Sequence, residues 1–420
     1  MATRVSTQRG ISIQEPGRHR PWLNFTELPP ISPVLVILAL LAALAATIFV
    51  VRIFTGWGLV TNLNDNYGWG LWKGFNTLVG IALGASGFTT AFAVYMLGNE
   101  KFHPVARIAV LVGILGYLSS VFSLLIDLGH PDRIIFPVVF WNPESPLFEV
   151  AWCVMLYLTV MILEFSPAVL NRLGLRRAEG IAHEAVIPLV IGGTVLSCLH
   201  QSSLGSLFLN VPDQLDPLWY TPMLPLFFLM SAIYVGPAVV IVASTLASRA
   251  LGRGLAPDIL SSLARVIPYL LGIYLFAKIL ELLIAGDFHL LFDGTRASGL
   301  FFLEMSVGVI FPMLMLLSKG IRENAGWRFF AGLMIVAGLM LNRVDVSLIS
   351  WARPADALSY TVHPLEYGFT IGLWAGLAIV FYLVALYFPV FGEYRHGPSS
   401  DSEQLHASQG DRWWATFGRR

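Results

Sequence analysis

Long apolar runs dominate the chain, and short polar stretches interrupt them at regular intervals. A helix that crosses a bilayer needs about 20 mainly apolar residues. Ten runs satisfy this length, and they cover residues 33–54, 71–97, 104–128, 147–166, 183–204, 222–248, 262–285, 299–318, 327–349 and 365–390. The pattern therefore predicts an all-α integral membrane protein with ten transmembrane helices.

Composition supports this class of protein. Only 12% of the residues are charged, against about 25% in an ordinary soluble domain, and the mean hydropathy is +0.70. The formal net charge is zero, so the chain offers no general attraction for nucleic acid. Polar segments flank the apolar runs, which predicts a cytoplasmic N-terminal segment (1–30), a membrane domain (31–392) and a cytoplasmic polar tail (393–420).

The distribution of Lys and Arg tests the count of ten. If the N-terminus is cytoplasmic, 19 of the 26 Lys and Arg residues fall on the cytoplasmic side, six fall on the other side, and Lys278 lies inside a predicted helix. Short cytoplasmic loops of membrane proteins carry such an excess of positive charge. We therefore expect a multi-pass protein of a bacterial or archaeal inner membrane, with both termini in the cytoplasm.

Polar residues recur at one depth, the outer third of the bilayer, in four consecutive predicted helices. They are Asn76, Asp127, Glu149 and His200, with Gln201 and Ser203 beside the histidine. Polar groups inside a membrane are expensive and mark candidate functional sites. The shared depth predicts one binding or proton-transfer site near the outer surface.

A second polar set lies at similar depth in the later helices. It comprises Lys278, Glu281, Glu304, Arg343, Asp345 and Glu366. Two interpretations remain open. These residues form structural ion pairs, with Lys278 on Glu281 and Arg343 on Asp345 or Glu366, or they carry protons. Glu164, near the cytoplasmic end of the fourth helix, is a candidate entry to such a proton path, and equally an interfacial glutamate.

Three kinds of ligand are candidates for His200, namely a haem, a metal ion and a quinone. A b-type haem between helices usually needs two axial histidines, and no second histidine lies well inside a predicted helix. A metal site needs three or four closely spaced ligands, and HQSSLGS offers one; the two cysteines form no CxxC motif for an Fe–S cluster. A quinone needs hydrogen-bond donors for its carbonyls and titratable groups nearby, which this polar layer supplies. Quinone is therefore the favoured ligand, with no metal and no haem.

Two further patterns concern packing. The outer loops 56–72 and 209–222 are rich in Trp and Tyr, which suit the headgroup level or a docked partner. Gly80 and Gly84, and a stripe at Gly368, Gly372 and Gly376, have the four-residue spacing that lets helices approach closely. Packing within the bundle is the favoured interpretation over a dimer face.

The prolines within the runs also suit a secondary transporter, a class that places broken helices and its substrate site at the membrane midplane. The polar layer lies toward the outer surface instead. A proton-coupled transporter is therefore the more remote alternative.

Several motifs together resemble one family from about residue 60 to residue 389. They are WGLWKGFN at 69–76, HPVARIAVLVGILGY at 103–117, LFEVAWCVMLYLTVMILEFSP at 147–167, LHQSSLGSL at 199–207, DPLWYTPMLPLF at 216–227, EMSVGVIFPM at 304–313 and LNRVDVSLISW at 341–351. The chain resembles the NrfD/PsrC family of polysulfide reductase membrane subunits, and within it the HybB-type subunit of membrane-bound nickel–iron hydrogenases.

The resemblance implies a fold and a function. It implies two four-helix bundles, helices 2–5 and 6–9, flanked by helices 1 and 10. It implies a quinone-reactive subunit without its own metal centre, with menaquinone or another quinone bound within the first four-helix bundle near the periplasmic face. It also implies a periplasmic ferredoxin-like Fe–S subunit and a catalytic subunit as partners, with nickel–iron hydrogenase favoured over a sulfur-compound oxidoreductase. It supports roles for Glu149, His200 and Arg343, whereas Asn76 stands where HybB-type sequences carry an acid.

Overall fold

The computed structural model describes residues 29, 31–64, 69–93, 103–211, 215–350 and 360–391. Helices make up nearly all of these residues, and nine helices within the described part are long and apolar enough to cross a membrane. The tenth predicted span, 71–97, is described to residue 93 and is helical there. The chain is thus an all-α, multi-pass integral membrane protein, as predicted. The predicted terminal segments lie outside the described residues, apart from Pro29.

The ten helices follow the predicted spans closely. They are α1 (Pro33–Thr55), α2 (Trp72–Thr77, Leu78–Gly84 and Ser86–Ala91 in succession), α3 (His103–Asp127), α4 (Pro146–Arg172), α5 (Val186–Ser206), α6 (Leu224–Leu251), α7 (Pro257–Ala285), α8 (Arg296–Met305, Ser306–Ile310 and Phe311–Leu317), α9 (Ala325–Val344 and Asp345–Ile349) and α10 (Pro364–Tyr387). Short helices occupy parts of the connections at Pro131–Ile135, Phe136–Val139, Arg176–Glu184, Leu207–Asn210, Asp287–Phe292 and Lys319–Glu323.

The largest differences from the predicted bounds occur around prolines and charges. α4 continues to Arg172 through Pro167, six residues beyond its predicted end, and α7 begins at Pro257, five residues early. Proline is tolerated inside membrane helices because neighbouring groups satisfy the backbone that it frees. α5 begins at Val186 rather than at residue 183, since the charged stretch before it forms the separate helix Arg176–Glu184.

The helices pack as two four-helix bundles. Helices α2 to α5 form the first bundle, and helices α6 to α9 form the second, each closed by contact between its first and last members. α5 and α2 pack against α6, which joins the two bundles, while α1 and α10 pair with each other beside α3. This is the arrangement that the resemblance implied.

Long-range contacts show which helix ends meet. Arg52 at the end of α1 donates to the carbonyl of Ile126 (2.7 Å) near the end of α3. Arg107 near the start of α3 donates to Pro389 (3.0 Å) beyond the end of α10. We call the end that holds Arg52 the distal end; it is the end that the charge distribution predicts to lie outside the cytoplasm.

Three helices contain a turn of π-helix, which lies at the distal end of α2 and of α9 and in the middle of α8. These turns are Trp72–Thr77 in α2, Ser306–Ile310 in α8 and Asp345–Ile349 in α9. π turns are rare and occur frequently at functional sites. Those of α2 and α9 meet where the two bundles join, because Gly74 lies against the side chains of Ser347 and Leu348.

Glycines permit the closest helix contacts, as the sequence predicted. A Cβ on Gly80 would collide with the backbone oxygen of Gly116 at 2.5 Å, and one on Gly84 would meet the ring of Tyr117 at 2.6 Å. Gly372 lies against α1, where a Cβ would approach that of Ala45 to 2.6 Å. Both predicted stripes therefore pack within the chain.

Two aromatic residues of the predicted distal loops are buried inside the protein. Trp72 is fully buried, and Trp219 is 1% exposed. The Trp219 indole donates to Glu304 (2.9 Å), and Trp72 packs edge-on against Phe369. These two side chains therefore pack inside the protein, and the role of the distal loops at the headgroup level stays a prediction.

Replacing Gly338 with alanine should destabilise the second bundle. A Cβ at Gly338 would overlap the backbone of Gly308 in the π turn of α8, which has no flexible side chain to move aside. Overpacking of this kind costs about 1–3 kcal/mol. Gly299→Ala is the control, since a Cβ at Gly299, which lies on α8 like Gly308, meets nothing within 4 Å. Unfolding titrations in mixed micelles measure the difference, and equal stability of the two variants would contradict this packing.

Candidate functional site

His200 lies at the centre of the first bundle, fully buried on α5. Its Nδ1 shares a hydrogen bond of 2.8 Å with the hydroxyl of Tyr117 on α3, and Tyr117 packs edge-on against Tyr157 on α4. Its Nε2 has no hydrogen-bond partner among the described residues. One ring nitrogen is thus fixed by a neighbour, and the other remains able to hold a ligand.

The two residues beside His200 are held locally. The amide nitrogen of Gln201 donates to the carbonyl of Ile81 (2.9 Å) in α2, and its Oε1 is buried without a partner among the described residues. The Ser203 hydroxyl donates back to the carbonyl of His200 (3.2 Å). Ser203 therefore closes a turn of α5, and Gln201 ties α5 to α2.

Asn76 faces α10 rather than His200. Its Nδ2 donates to Thr370 Oγ1 (3.2 Å), and its Oδ1 accepts from the Trp374 indole (3.1 Å). Asn76 is fully buried in the π turn of α2, and the hydroxyl of Ser119 donates to its backbone carbonyl (3.3 Å). Both ends of the amide are therefore engaged with the flanking helix.

Asp127 is part of a distal ion cluster. Its carboxylate pairs with Lys73 Nζ at 2.7 Å, and the side chains of Lys73 and Asp127 are 29% and 2% exposed. Arg52 joins from α1 and donates to the backbone carbonyls of Ile126 and Leu128. The cluster joins the ends of α1, α2 and α3.

Glu149 lies on the exposed face of α4, in its first turn. A carboxylate at this position is favoured by the positive N-terminal end of the helix dipole. The structure therefore separates the residues that the sequence placed in one layer. His200 and Gln201 occupy the bundle interior, Asn76 faces α10, Asp127 lies in an ion cluster, and Glu149 is on the surface.

The second polar set forms a buried network in the second bundle. Glu304 on α8 is 2% exposed and accepts from the Trp219 indole and from Asn342 Nδ2, each at 2.9 Å. Asn342 Oδ1 in turn accepts from Arg343 (2.5 Å). An amide thus bridges an acid and a guanidinium that do not pair directly.

Arg343 points toward α6. It donates to the Ser231 hydroxyl (2.6 Å) and lies over the Phe228 ring at 3.8 Å from the centroid. The predicted ion pairs of Arg343 with Asp345 or Glu366 are absent from the described part of the chain. The reason is geometric, because the guanidinium turns toward α6 and the interior of the second bundle.

Lys278 and Glu281 pair as predicted, at 3.5 Å on one face of α7. Lys278 also lies over the Phe227 ring at 4.9 Å from the centroid. Glu164 is half-buried on α4 in the first bundle, whereas this pair lies in the second. A proton path from Glu164 to Lys278 stays a prediction that would have to cross between bundles.

Glu366 closes the distal end of α10. Its Oε1 accepts from the backbone of His363 (3.1 Å) in a capping box, and its Oε2 accepts from the Tyr360 hydroxyl (2.5 Å). Burial and this bond to a carboxylate raise the pKa of the Tyr360 hydroxyl above its usual value. Tyr360 therefore stays protonated and acts as a donor.

A cavity of about 1000 Å³ lies at the distal end between α2, α8, α9 and α10. Its wall is mainly apolar, with Phe75, Val344 and Ile371 among its side chains. Polar side chains in the lining include Tyr360, Thr370, Trp374 and Arg296. The cavity is at the upper end of the size range of ligand pockets, and it lies where the two bundles meet. His200 is not part of its lining.

Sequence reasoning missed several residues of these sites. The missed residues each bond a predicted site residue, and they are Tyr117, Asn342, Tyr360, Thr370 and Trp374. A hydroxyl, amide or indole carries no charge and is common in membrane helices, so its position alone gives no signal. The pattern of Asn342 directly before Arg343 is the one clue that a polar bridge was available.

Among the described residues, no three His, Cys, Asp or Glu side chains come together in a group that could hold a metal ion. Of the described histidines, His200 alone lies well inside a transmembrane helix.

The fold and these buried clusters define a multi-pass helical membrane protein built from two four-helix bundles, with polar sites toward one end. The chain belongs to the NrfD family, described as "Polysulphide reductase, NrfD", whose sequence model matches residues 59–349. The four-helix bundles and the motifs that pointed to this family both lie almost wholly within the match.

Named relatives come from several oxidoreductase systems. The "Probable Ni/Fe-hydrogenase 2 b-type cytochrome subunit" of Escherichia coli is 31% identical over 74% of this chain and 81% of that relative. The "Menaquinone reductase, integral membrane subunit" of Nitratidesulfovibrio vulgaris is 28% identical over 81% and 90%. A relative from Mesobacillus selenatarsenatis, named as part of a selenate reductase, is 24% identical over 77% and 86%. The chain is similar to membrane subunits of different oxidoreductases.

Replacing Asp127 with asparagine should destabilise the distal end. The change removes the Asp127 carboxylate that pairs with Lys73, and it also removes a negative charge close to Arg52. Removing one partner of a buried pair costs about 3–5 kcal/mol, and the partial exposure of Lys73 reduces this to about 1–3 kcal/mol. Thermal unfolding of the purified protein measures the loss. Asp132→Asn is the control, because Asp132 is 77% exposed; an equal effect of both variants would contradict the role of the cluster.

Proposed function

We propose that this chain is the quinone-reactive membrane subunit of a respiratory oxidoreductase. It passes electrons between a partner Fe–S subunit and menaquinone, or another quinone, at the distal end. The observation that carries the proposal is the cavity between the two bundles, which combines an apolar wall with a few polar groups at the predicted outer surface. Such a cavity suits a ring with two carbonyls and an apolar tail.

The residues that line the cavity fit a quinone. Thr370 Oγ1 accepts from Asn76, and a hydroxyl that accepts one hydrogen bond still carries a proton that it can donate to a carbonyl oxygen. The Trp374 N–H is already used by Asn76, so that indole contributes an aromatic wall. Tyr367 and Ile371 are 50% and 53% exposed on α10, and they leave a side entrance from the lipid for the tail.

Proton chemistry is available beside the cavity. A quinone takes up two electrons and two protons on reduction, and it returns them on oxidation. Tyr360 holds its proton between its own oxygen and Glu366 Oε2, and the backbone N–H of Leu71 donates to the same hydroxyl (3.3 Å). The pair can thus orient a proton at the mouth of the cavity and hand it on through the capping carboxylate.

The other predicted residues have supporting or alternative roles. Asn76 positions Thr370 and Trp374, and His200 with Gln201 forms an alternative quinone site inside the first bundle, supported by their unpartnered Nε2 and Oε1 among the described residues. The candidates for a proton path remain Glu164, Lys278, Glu281, Glu304 and Arg343. Asp127 and Glu149 remain candidates for proton transfer at the distal surface.

The proposed partners are a periplasmic ferredoxin-like Fe–S subunit and a catalytic subunit. A nickel–iron hydrogenase is favoured, because the relative with that name in Escherichia coli shares 31% identity. The alternative is a sulfur-compound or other menaquinol-oxidising complex, in line with the breadth of the named relatives. We place the chain in a bacterial or archaeal inner membrane with both termini cytoplasmic.

Filling the cavity should block quinone turnover. Val344→Trp adds an indole to the wall and should lower quinone-linked activity of the intact complex by about tenfold or more, equivalent to about 1.4 kcal/mol or more of lost binding. Electron delivery from the catalytic subunit to a soluble dye should continue. Leu280→Trp is the control, since Leu280 is 44% exposed on α7 outside this cavity.

A second variant in the same assay separates the two quinone sites. His200→Gln retains an acceptor for the Tyr117 hydroxyl and removes the free ring nitrogen. Activity should persist in His200→Gln if the distal cavity is the site. Loss of activity in His200→Gln together with full activity in Val344→Trp would place the quinone in the first bundle instead.

The purified chain should show no b-type haem band in dithionite-reduced minus oxidised spectra. The name of the Escherichia coli relative contains "b-type cytochrome", so the point requires measurement. The physical reason is that His200 has one nitrogen engaged by Tyr117 and no second histidine opposite it in the described helices. A strong haem band that disappears in His200→Gln would overturn the proposal that the subunit works without haem.

A further inference from the structure

The polar network of the second bundle contains five carboxyl, ammonium and guanidinium side chains. Lys278 and Arg343 are cations, and Glu281, Glu304 and Asp345 are acids. If all five were ionised, the cluster would carry one uncompensated negative charge. A net charge in a region of low dielectric is strongly unfavourable.

Four of the five groups have partners that suit their ionised forms. Lys278 pairs with Glu281 at 3.5 Å. Glu304 accepts two N–H bonds, from Trp219 and from Asn342. Arg343 donates to Asn342 and to Ser231 and lies over an aromatic ring.

Asp345 is the exception. It is fully buried at the first position of the π turn in α9, and neither carboxyl oxygen has a hydrogen-bond partner among the described residues. Its backbone carbonyl accepts from Ser350 (2.8 Å), so the local turn is satisfied while the side chain is not. A buried ionised carboxylate without donors is unstable, and protonation removes both the charge and the need for strong donors.

The charged groups around Asp345 favour the same state. Glu304 on α8 is close enough to repel a second negative charge. Arg343, two residues earlier, directs its guanidinium to α6. Lys73 on α2 is paired with Asp127, and the carboxyl of Asp216 in the loop before α6 accepts from Leu218. No cation in this part of the described chain pairs with Asp345.

We propose that Asp345 is a buried proton-binding site, a carboxylic acid that is neutral in the resting protein and holds one exchangeable proton. With Asp345 neutral, the two cations of the network balance the two remaining carboxylates. Val344 and Leu348 on either side of it line the distal cavity, so the proton lies directly behind the cavity wall. The site requires no bound quinone and stands whether or not the cavity binds one.

Infrared spectra of the intact complex in nanodiscs, recorded in water and in heavy water and subtracted, test this site. Wild-type protein should show the carbonyl band of a protonated carboxyl group that shifts in heavy water. Asp345→Asn, which is nearly isosteric, should remove that band. Glu281→Gln is the matched control, because Glu281 is paired with Lys278 and contributes no protonated carboxyl group; it should leave the band in place.

Two results would overturn the proposal. One is a band that survives in Asp345→Asn, and the other is a wild-type spectrum with no protonated carboxyl band, whichever variants assemble. If Asp345→Asn fails to assemble, the Asp345→Glu variant tests whether Asp345 holds the proton. It keeps the acid and should show a band at a changed frequency, whereas an unchanged spectrum would assign the proton to another residue.

Discussion

Polar groups in the interior of this protein must find their partners within the protein, because the hydrocarbon core of a bilayer offers none. Most of the buried polar side chains obey this constraint through amides and hydroxyls rather than through ion pairs. Asn76 bridges Thr370 and Trp374, and Asn342 bridges Glu304 and Arg343. These neutral bridges hold the bundles together, and they also leave a small number of atoms unpaired.

The cavity lies in the region where the bundles meet. The π turns of α2 and α9 face each other there, with a glycine against a serine, and α10 covers the outer side. Helices of both bundles line the cavity, so neither bundle alone would enclose it. A ligand in that space touches α2 from one bundle and α9 from the other, and it lies close to the end where a soluble partner would dock.

The sequence predicted the fold well, because long apolar runs and the placement of Lys and Arg respond directly to the membrane. The bounds of α1 and α3 were predicted to within one residue. The site was predicted less well. Depth could be read from position along a helix, but the direction of each side chain could not, and Asn76, which lies in the π turn of α2, bonds to α10 rather than to His200. Glu149 shows the same limit, because a residue at the right depth proved to be on the outside.

The π turn of α2 also affects how this chain compares with others. A π turn accommodates one residue more than the α-helix that it interrupts, and each residue of an α-helix turns by about 100°. An extra residue in a regular α-helix would rotate everything beyond it by that angle, whereas a π turn absorbs the residue locally, here within Trp72–Thr77. A one-residue gap in this segment between two aligned relatives is therefore compatible with side chains before and after the gap that keep the same facing direction.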